Sequence, residues 1–415
     1  MNFRVLNANV FVTATLLLIA EFAQAQEYGV VTRFNRTNGS PDTSLNGTGR
    51  IVQTTAQGYD TSVAVDANGK IIVGENLIGG GLLIGRYNSN GTPDSTFGYG
   101  GVTSVDSAHN SEVHGVGVDS SGRVYALVDG TNGGTLTGAY VVRFATNGAV
   151  DTTYKNASST TPGYVLAVNA SLLGTDLDVA PDGSAAVVVD AYPHGFDVAK
   201  VDPTGFVQYS KGFFFESSSG SEHGNGVKID ASGNVVVVGE SATGKMGVMR
   251  YAGGNPDPSF NSGRPVLQSF GYSEQRAVDV TVDGLGQIVT VGYTPTNQTV
   301  QVHFLLLRLN SSGAFDAQGD FTRGSTISAT SGWTQWSIAS YGSYYYVGGA
   351  MLVSSSVVQD SLFKLNRSDL SFVSGFAHTG WMDDGIPGYN NSAFWNVTID
   401  PVTTNPVLVG VALNR

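Results

Sequence analysis

The segment SVAVDANGKIIVGE, Ser62 to Glu75, decides how the chain folds. Small and β-branched residues alternate up to Asp66, a D-x-x-G turn follows, and a second apolar run closes the unit. Alternation marks a half-buried strand, and Asp and Gly at this spacing mark a tight turn, so the unit reads as a β-hairpin. It returns as GVGVDSSGRVYALV (Gly115 to Val128), LDVAPDGSAAVVVD (Leu177 to Asp190), GVKIDASGNVVVVGE (Gly226 to Glu240) and DVTVDGLGQIVTVGY (Asp279 to Tyr293). Two degraded copies follow, SIASYGSYYYVGG (Ser337 to Gly349) and NVTIDPVTTNPVLVG (Asn396 to Gly410).

A second hairpin accompanies the first. Its copies are TRFNRTNGSPDTSLNGTG (Thr32 to Gly49), IGRYNSNGTPDSTFGYGG (Ile84 to Gly101), VRFATNGAVDTTYKN (Val142 to Asn156) and AKVDPTGFVQYSKGF (Ala199 to Phe213). MRYAGGNPDPSFNSG (Met249 to Gly263), LRLNSSGAFDAQGDF (Leu307 to Phe321) and FKLNRSDLSFVSGF (Phe363 to Phe376) complete the set. Four strands recurring every 50 to 60 residues or so are the mark of β-propeller blades, whereas the rungs of an open β-solenoid are much shorter. The first repeat begins with an outer hairpin and the last ends with an inner one. Joined, they make a seventh blade and remove the edges that an open array would expose. The reading is all-β: one seven-bladed β-propeller of four-stranded blades over residues 26–415, closed by pairing the N-terminal and C-terminal strands.

The pattern RYNSNGTPDSTFGYGG followed by V-D-x-x-G-x-x-x-V-x-G resembles the delta-60 repeat of secreted and surface proteins, mostly bacterial. The resemblance runs from Val30 to Arg415 and implies a propeller. It implies no activity, because that family has none in common.

Composition agrees with the repeats. Only 13% of residues are charged while Gly reaches 55, which suits turns and strands better than long amphipathic helices. The absence of cysteine excludes disulfides, thiolate metal sites and cysteine nucleophiles. A net charge of −12 with no basic cluster argues against nucleic-acid and anionic-membrane partners. Residues 1–25 read as a secretory signal, with Arg4, the apolar run Val10 to Ala20 and a small-residue cleavage site at Ala23-Gln24-Ala25. The expected location is therefore secreted or cell-surface, or periplasmic in a bacterium.

Several recurrences invite a functional reading. A basic residue occupies one position in all seven copies: Arg33, Arg86, Arg143, Lys200, Arg250, Arg308 and Lys364. Asp42, Asp94, Asp151, Asp257 and Asp316 follow seven to nine residues later, an offset that folds back across a hairpin and predicts cross-strand or interblade ion pairs. The D-x-x-G aspartates, Asp66, Asp119, Asp230 and Asp283, are expected to cap their own turns. Of eleven N-x-S/T sequons, several coincide with repeated turns where Asn, Gly, Ser and Thr are wanted anyway.

Four acids precede inner strands: Asp60, Glu112, Glu222 and Glu274. In a propeller such positions lie at one mouth of the central channel. They are either ligands of a divalent cation such as Ca2+, or of a cationic ligand, or caps for backbone amides within their own loops. The same mouth should receive His109, His114, His223 and Arg276. All four tryptophans fall in two divergent segments, Trp333 and Trp336 in SGWTQW, and Trp381 and Trp395 in HTGWMDDGIPGYNNSAFW beside Asp383 and Asp384. Aromatic faces beside carboxylates suit sugars, although tryptophan also packs loops onto blades. Neither a G-x-S-x-G elbow, an H-E-x-x-H, a Walker A nor a dinucleotide fingerprint is present. The expectation is a non-enzymatic binding or adhesion module for a glycan or protein partner. The competing expectations are a hydrolase or lyase using mouth carboxylates such as Asp383 and Asp384 with Glu222, and a structural surface component assembling through blade edges.

Overall fold

The computed structural model describes residues 26–414, apart from 55–56, 79–80, 106–109, 133–134, 157–160, 170–172, 192–194, 217–220, 295–299, 328–335, 355–356, 378–379 and 383–384. Its strands form seven antiparallel sheets, six of four strands and one carrying an additional two-residue strand. These are the seven blades of a β-propeller, and no helix among the described residues is long and apolar enough to cross a membrane. The inner strands of blades 1 to 6 are Gly58–Val65, Asn110–Val118, Leu173–Val179, His223–Ile229, Arg276–Val282 and Trp336–Tyr341. Blade 7 joins the two ends of the chain, with Asn391–Ile399 innermost, then Pro406–Asn414, Gln26–Arg33 and Arg50–Val52. Gln26 pairs with Asn414 and the register runs unbroken to Arg33 opposite Val407, which closes the ring as the half-blades at either end predict.

The second strand of each blade is the most buried, since both of its faces meet neighbouring blades. In blade 4 it reads VVVVGE, Val235–Glu240, with every residue buried. Continuous apolar runs of this kind are how a strand covered on both faces reads in sequence. Between blades 7 and 1, Val31, Leu45, Ile51, Val63, Ile71, Val73, Val407 and Val409 form one such core cluster.

The D-x-x-G turns and the outer-hairpin turns lie on one face of the ring, the turn face. Asp66 Oδ1 accepts from the amides of Asn68 and Lys70 at 2.8 and 2.9 Å, and Asp119, Asp230 and Asp283 repeat the arrangement. The five expected Arg–Asp pairs are all formed, from Arg308–Asp316 at 2.6 Å to Arg143–Asp151 at 2.9 Å. Six of the seven recurrent basic side chains, all but Arg86, also donate to backbone carbonyls of the next blade. Arg33 reaches Ser89, Arg143 reaches Pro203, Lys200 reaches Gly233, Arg250 reaches Ser311, Arg308 reaches Arg367 and Lys364 reaches Arg36. They are structural clamps, within and between blades.

A second girdle runs around the channel. Ser62, Asp176, Asp279, Ser337 and Asn396 occupy equivalent positions on their inner strands, and each accepts from a main-chain N–H of the following blade: Val116, Val227, Ile338, Val397 and Val63. Blades 2 and 4 carry Gly115 and Gly226 there. Where glycine offers no acceptor, Asp176 and Asp279 turn a second oxygen onto the N–H of their own next residue, Leu177 and Val280, at 2.8 and 2.6 Å.

Candidate functional site

The inner strands start at the face opposite the turns, and it is there that charged and aromatic side chains escape the scaffold. In blades 1 to 5 and 7 the inner strand carries one extra residue at the same rung, namely Thr61, His114, Thr175, Asn225, Val278 and Trp395. A bulge of this kind interrupts the ladder and re-aims the side chain at that point. Two residues before each bulge of blades 1, 2, 4 and 5 stand Tyr59, Glu112, His223 and Arg276.

The bulges of blades 7 and 2, with Tyr59 between them, build one cluster across three blades. His114 Nε2 lies 2.6 Å from Asp129 Oδ2, and Asp129 Oδ1 is fixed by the Gly174 amide at 2.8 Å. Donor atoms of Glu112, His114 and Asp129 all lie within 4.8 Å of one another. Tyr59 donates its hydroxyl to Glu112 Oε1 at 3.3 Å, and its ring meets Trp395 edge-on, 5.2 Å between centroids at 67°. Burial alone would lower the His114 pKa, but the Asp129 carboxylate and then Glu112 outweigh it and raise it to about 9. At neutral pH the cluster is thus an imidazolium between two carboxylates, net negative by one charge, beside two half-buried aromatic rings. It can accept hydrogen bonds from hydroxyl or ammonium groups and offers a ring surface to apolar CH groups.

The other side of the mouth is occupied by internal pairs. Arg276 lies 2.7 Å from Glu240 and 2.5 Å from Glu274, and His223 Nδ1 lies 2.9 Å from Asp190 Oδ2. Glu222 is buried and takes the amides of Phe215 and Glu216, the latter at 2.9 Å. Asp60 is fully buried between blades 7 and 1. The four acids Asp60, Glu112, Glu222 and Glu274 therefore serve separate places. The single group of three His, Asp or Glu side chains close enough for a metal among the described residues contains Glu112 but none of the other three.

The tryptophans also divide. Trp336 and Trp395 lie on inner strands rather than in loops. Trp336 is buried against Phe304 and Phe363, and Trp381 is buried on the outer strand of blade 6 and stacks on Phe363 at 6.5 Å. Both fill the core of blades 5 and 6. Trp395 remains half-buried at the mouth. Trp333, Asp383, Asp384 and His109 lie outside the described residues. Asp129, which the sequence reading missed, stands one residue past the hairpin copy that ends at Val128; antiparallel pairing across the D-x-x-G turn is the signal that places it beside Glu112 and His114.

No protein-family model matches the chain, and no curated protein matches it in sequence. Among solved structures it is similar to a catalytically inactive virginiamycin B lyase from Staphylococcus aureus with quinupristin, at 10% identity and TM-score 0.49 over 92% of this chain and 99% of that one. The WD40 domain of Toxoplasma gondii coronin is similar at 12% identity and TM-score 0.48, over 94% and 86%. The PQQ-bound aldose sugar dehydrogenase of Streptomyces coelicolor is similar at 10% identity and TM-score 0.44, over 93% and 98%. These proteins differ in what they do, and the assignment of seven blades here rests on the chain's own strand pairing.

Proposed function

We propose that the protein is a secreted binding module that takes a glycan at the channel mouth built by Trp395, Tyr59, Glu112, His114 and Asp129. One observation carries the reading: blades 7, 1 and 2 bring two aromatic rings 5.2 Å apart into direct hydrogen-bonded continuity with a carboxylate–imidazole cluster. A sugar needs both, ring faces for its CH groups and charged acceptors for its hydroxyls. The scaffold supplies positioning, because Asp129 is anchored to the Gly174 amide and Trp395 is set by the strand bulge. Secretion is supported by the apolar run Val10 to Ala20 and by the resemblance to the delta-60 repeat.

Glycan-array screening followed by calorimetry tests this. Trp395→Ala and Glu112→Gln are each expected to weaken binding at least about tenfold, the loss of one hydrogen bond to a charged group or of one stacking face. Binding that survives both changes, or no binding across the array, rejects the reading. The His114–Asp129 pair favours one second reading, a lyase or hydrolase in which the imidazolium is the general acid. Chain-shortened or unsaturated products after incubation with a bound glycan would favour it over a binding module.

A further inference from the structure

The seam that closes the ring contains an unusual polar spot. Strand Gln26–Arg33 of blade 7 sets Gly29 and Val31 against blade 1, and most of the interface is apolar. At its end nearer the channel mouth it turns acidic. Asp60 and Glu75 face each other as a register pair of blade 1, and Gln53 approaches from blade 7. Asp60 is 0% exposed. Neither of its carboxylate oxygens has a hydrogen-bond partner among the described residues, and the Gln53 amide oxygen, also buried, has none either.

These oxygens aim at one place. A methyl group on Gly29 would stand 2.6 Å from Asp60 Oδ1 and 2.7 Å from Gln53 Oε1, so both oxygens crowd against the bare Gly29 backbone, where only glycine fits. Among the described residues no lysine or arginine forms a salt bridge with Asp60 or Glu75, nor with Glu27 on the neighbouring strand. Two carboxylates and an amide oxygen thus meet in the interior without a positive charge; the donors beside them are uncharged, the Gln53 amide NH2 and the Tyr87 hydroxyl. A buried anion without a counter-charge is unfavourable.

We propose that a hard divalent cation of the calcium class binds in this seam, held by Asp60, Glu75 and the Gln53 amide oxygen. The donors are all oxygen, which selects calcium or a similar hard ion over zinc or copper, and two carboxylates match a charge of two. Calcium tolerates an irregular shell completed by water, which suits donors drawn from two blades. Because Gln53 belongs to blade 7 and the two acids to blade 1, the ion ties the closing blade to its neighbour. This is a site distinct from the mouth cluster, whose imidazole suits softer metals.

The test is thermal unfolding and calorimetry on the full chain, stripped with a chelator and titrated with CaCl2. Expected are one saturable site and a midpoint that rises with calcium concentration, as a ligand of the native state requires. Asp60→Asn separates the ion from the alternative, in which Asp60 simply carries a proton. With an ion site, the chelated variant is at least as stable as the chelated parent, since a buried charge is gone, while calcium affinity falls at least tenfold. Glu75→Gln is expected to lose the calcium response likewise, and Glu112→Gln to keep it. No calcium response in the parent chain overturns the proposal. So does an undiminished response in Asp60→Asn, or a response lost in Glu112→Gln and kept in Asp60→Asn.

Discussion

Arg143 shows how a single side chain holds a blade to itself and to its neighbour. Its guanidinium lies 2.9 Å from Asp151, donates to Thr153 at 3.2 Å and to the Pro203 carbonyl of blade 3 at 2.6 Å, and sits over the Tyr154 ring at 4.4 Å. A lysine cannot do all of this from one ammonium group. Lys200 and Lys364, at the same position, keep only the interblade carbonyl bond, and Lys364 adds a contact over the Tyr344 ring at 4.1 Å. Arg143→Lys is therefore expected to cost about 1–2 kcal/mol, the worth of one or two charge-assisted bonds, read from urea unfolding. An unchanged midpoint would show the clamp to be redundant. The offset from Arg to Asp is legible in the sequence because both ends are side chains of fixed type. The interblade half is not, since its acceptors are main-chain carbonyls, here of Ser89, Pro203, Ser311 and Arg367, which do not depend on side-chain type. At the mouth the same limit applies: Glu112 and His114 stand out as polar residues at the start of an inner strand, whereas Glu222 looks alike and spends its charge on two local amides.

At the scale of strands, two features set the inner ring, the bulge and the girdle. The alternation of each hairpin is plain in sequence, but the bulge residues are Thr, His, Thr, Asn, Val and Trp, so nothing marks the rung chemically. The girdle is equally hidden, with Ser, Gly, Asp, Gly, Asp, Ser and Asn in turn at one position. Only geometry shows why glycine belongs in that series. A methyl on Gly115 would stand 2.8 Å from Leu177 Cβ, and one on Gly226 would stand 3.0 Å from Asp279 Cα, in each case on the inner strand of the next blade. Gly115→Ala is expected to force blades 2 and 3 apart and to cost about 1–3 kcal/mol, as overpacking does. Ser62→Ala at the equivalent position fits without overpacking and should cost only about 1 kcal/mol for its lost bond to the Val116 amide. If the serine change is the more damaging of the two in thermal melts, close approach is not what glycine provides there.

For the whole molecule, the two faces of the ring carry acids of opposite character, and this fixes how stability depends on pH. On the turn face, Asp42, Asp94, Asp151 and Asp257 are partly desolvated, but hydrogen bonds from their own turns and the clamp arginines hold them below the ordinary carboxylate range. A depressed carboxylate adds stability that is present above the unfolded value of about 4 and lost as pH falls through the folded one. In the channel and at its mouth the order is reversed. Burial, reinforced by Asp279, raises Asp176 to about 7, and burial raises Glu240 to about 7 despite Arg276. A raised carboxylate adds stability that is present below about 4 and lost as pH climbs through 7. His114, raised to about 9, adds stability present below about 6.5 and lost as pH rises through 9. Between about pH 4 and 9 these groups only lose stability as pH increases. The melting temperature should accordingly peak near pH 5 and decline toward pH 8, and Asp176→Asn should flatten the decline between 5 and 8 by removing its share. A midpoint that is level or rises from pH 5 to 8 would mean that the channel acids are solvated well enough to ionise without penalty. A ring whose channel acids resist ionisation while its turn-face acids are paired is built to tolerate mild acid better than mild alkali.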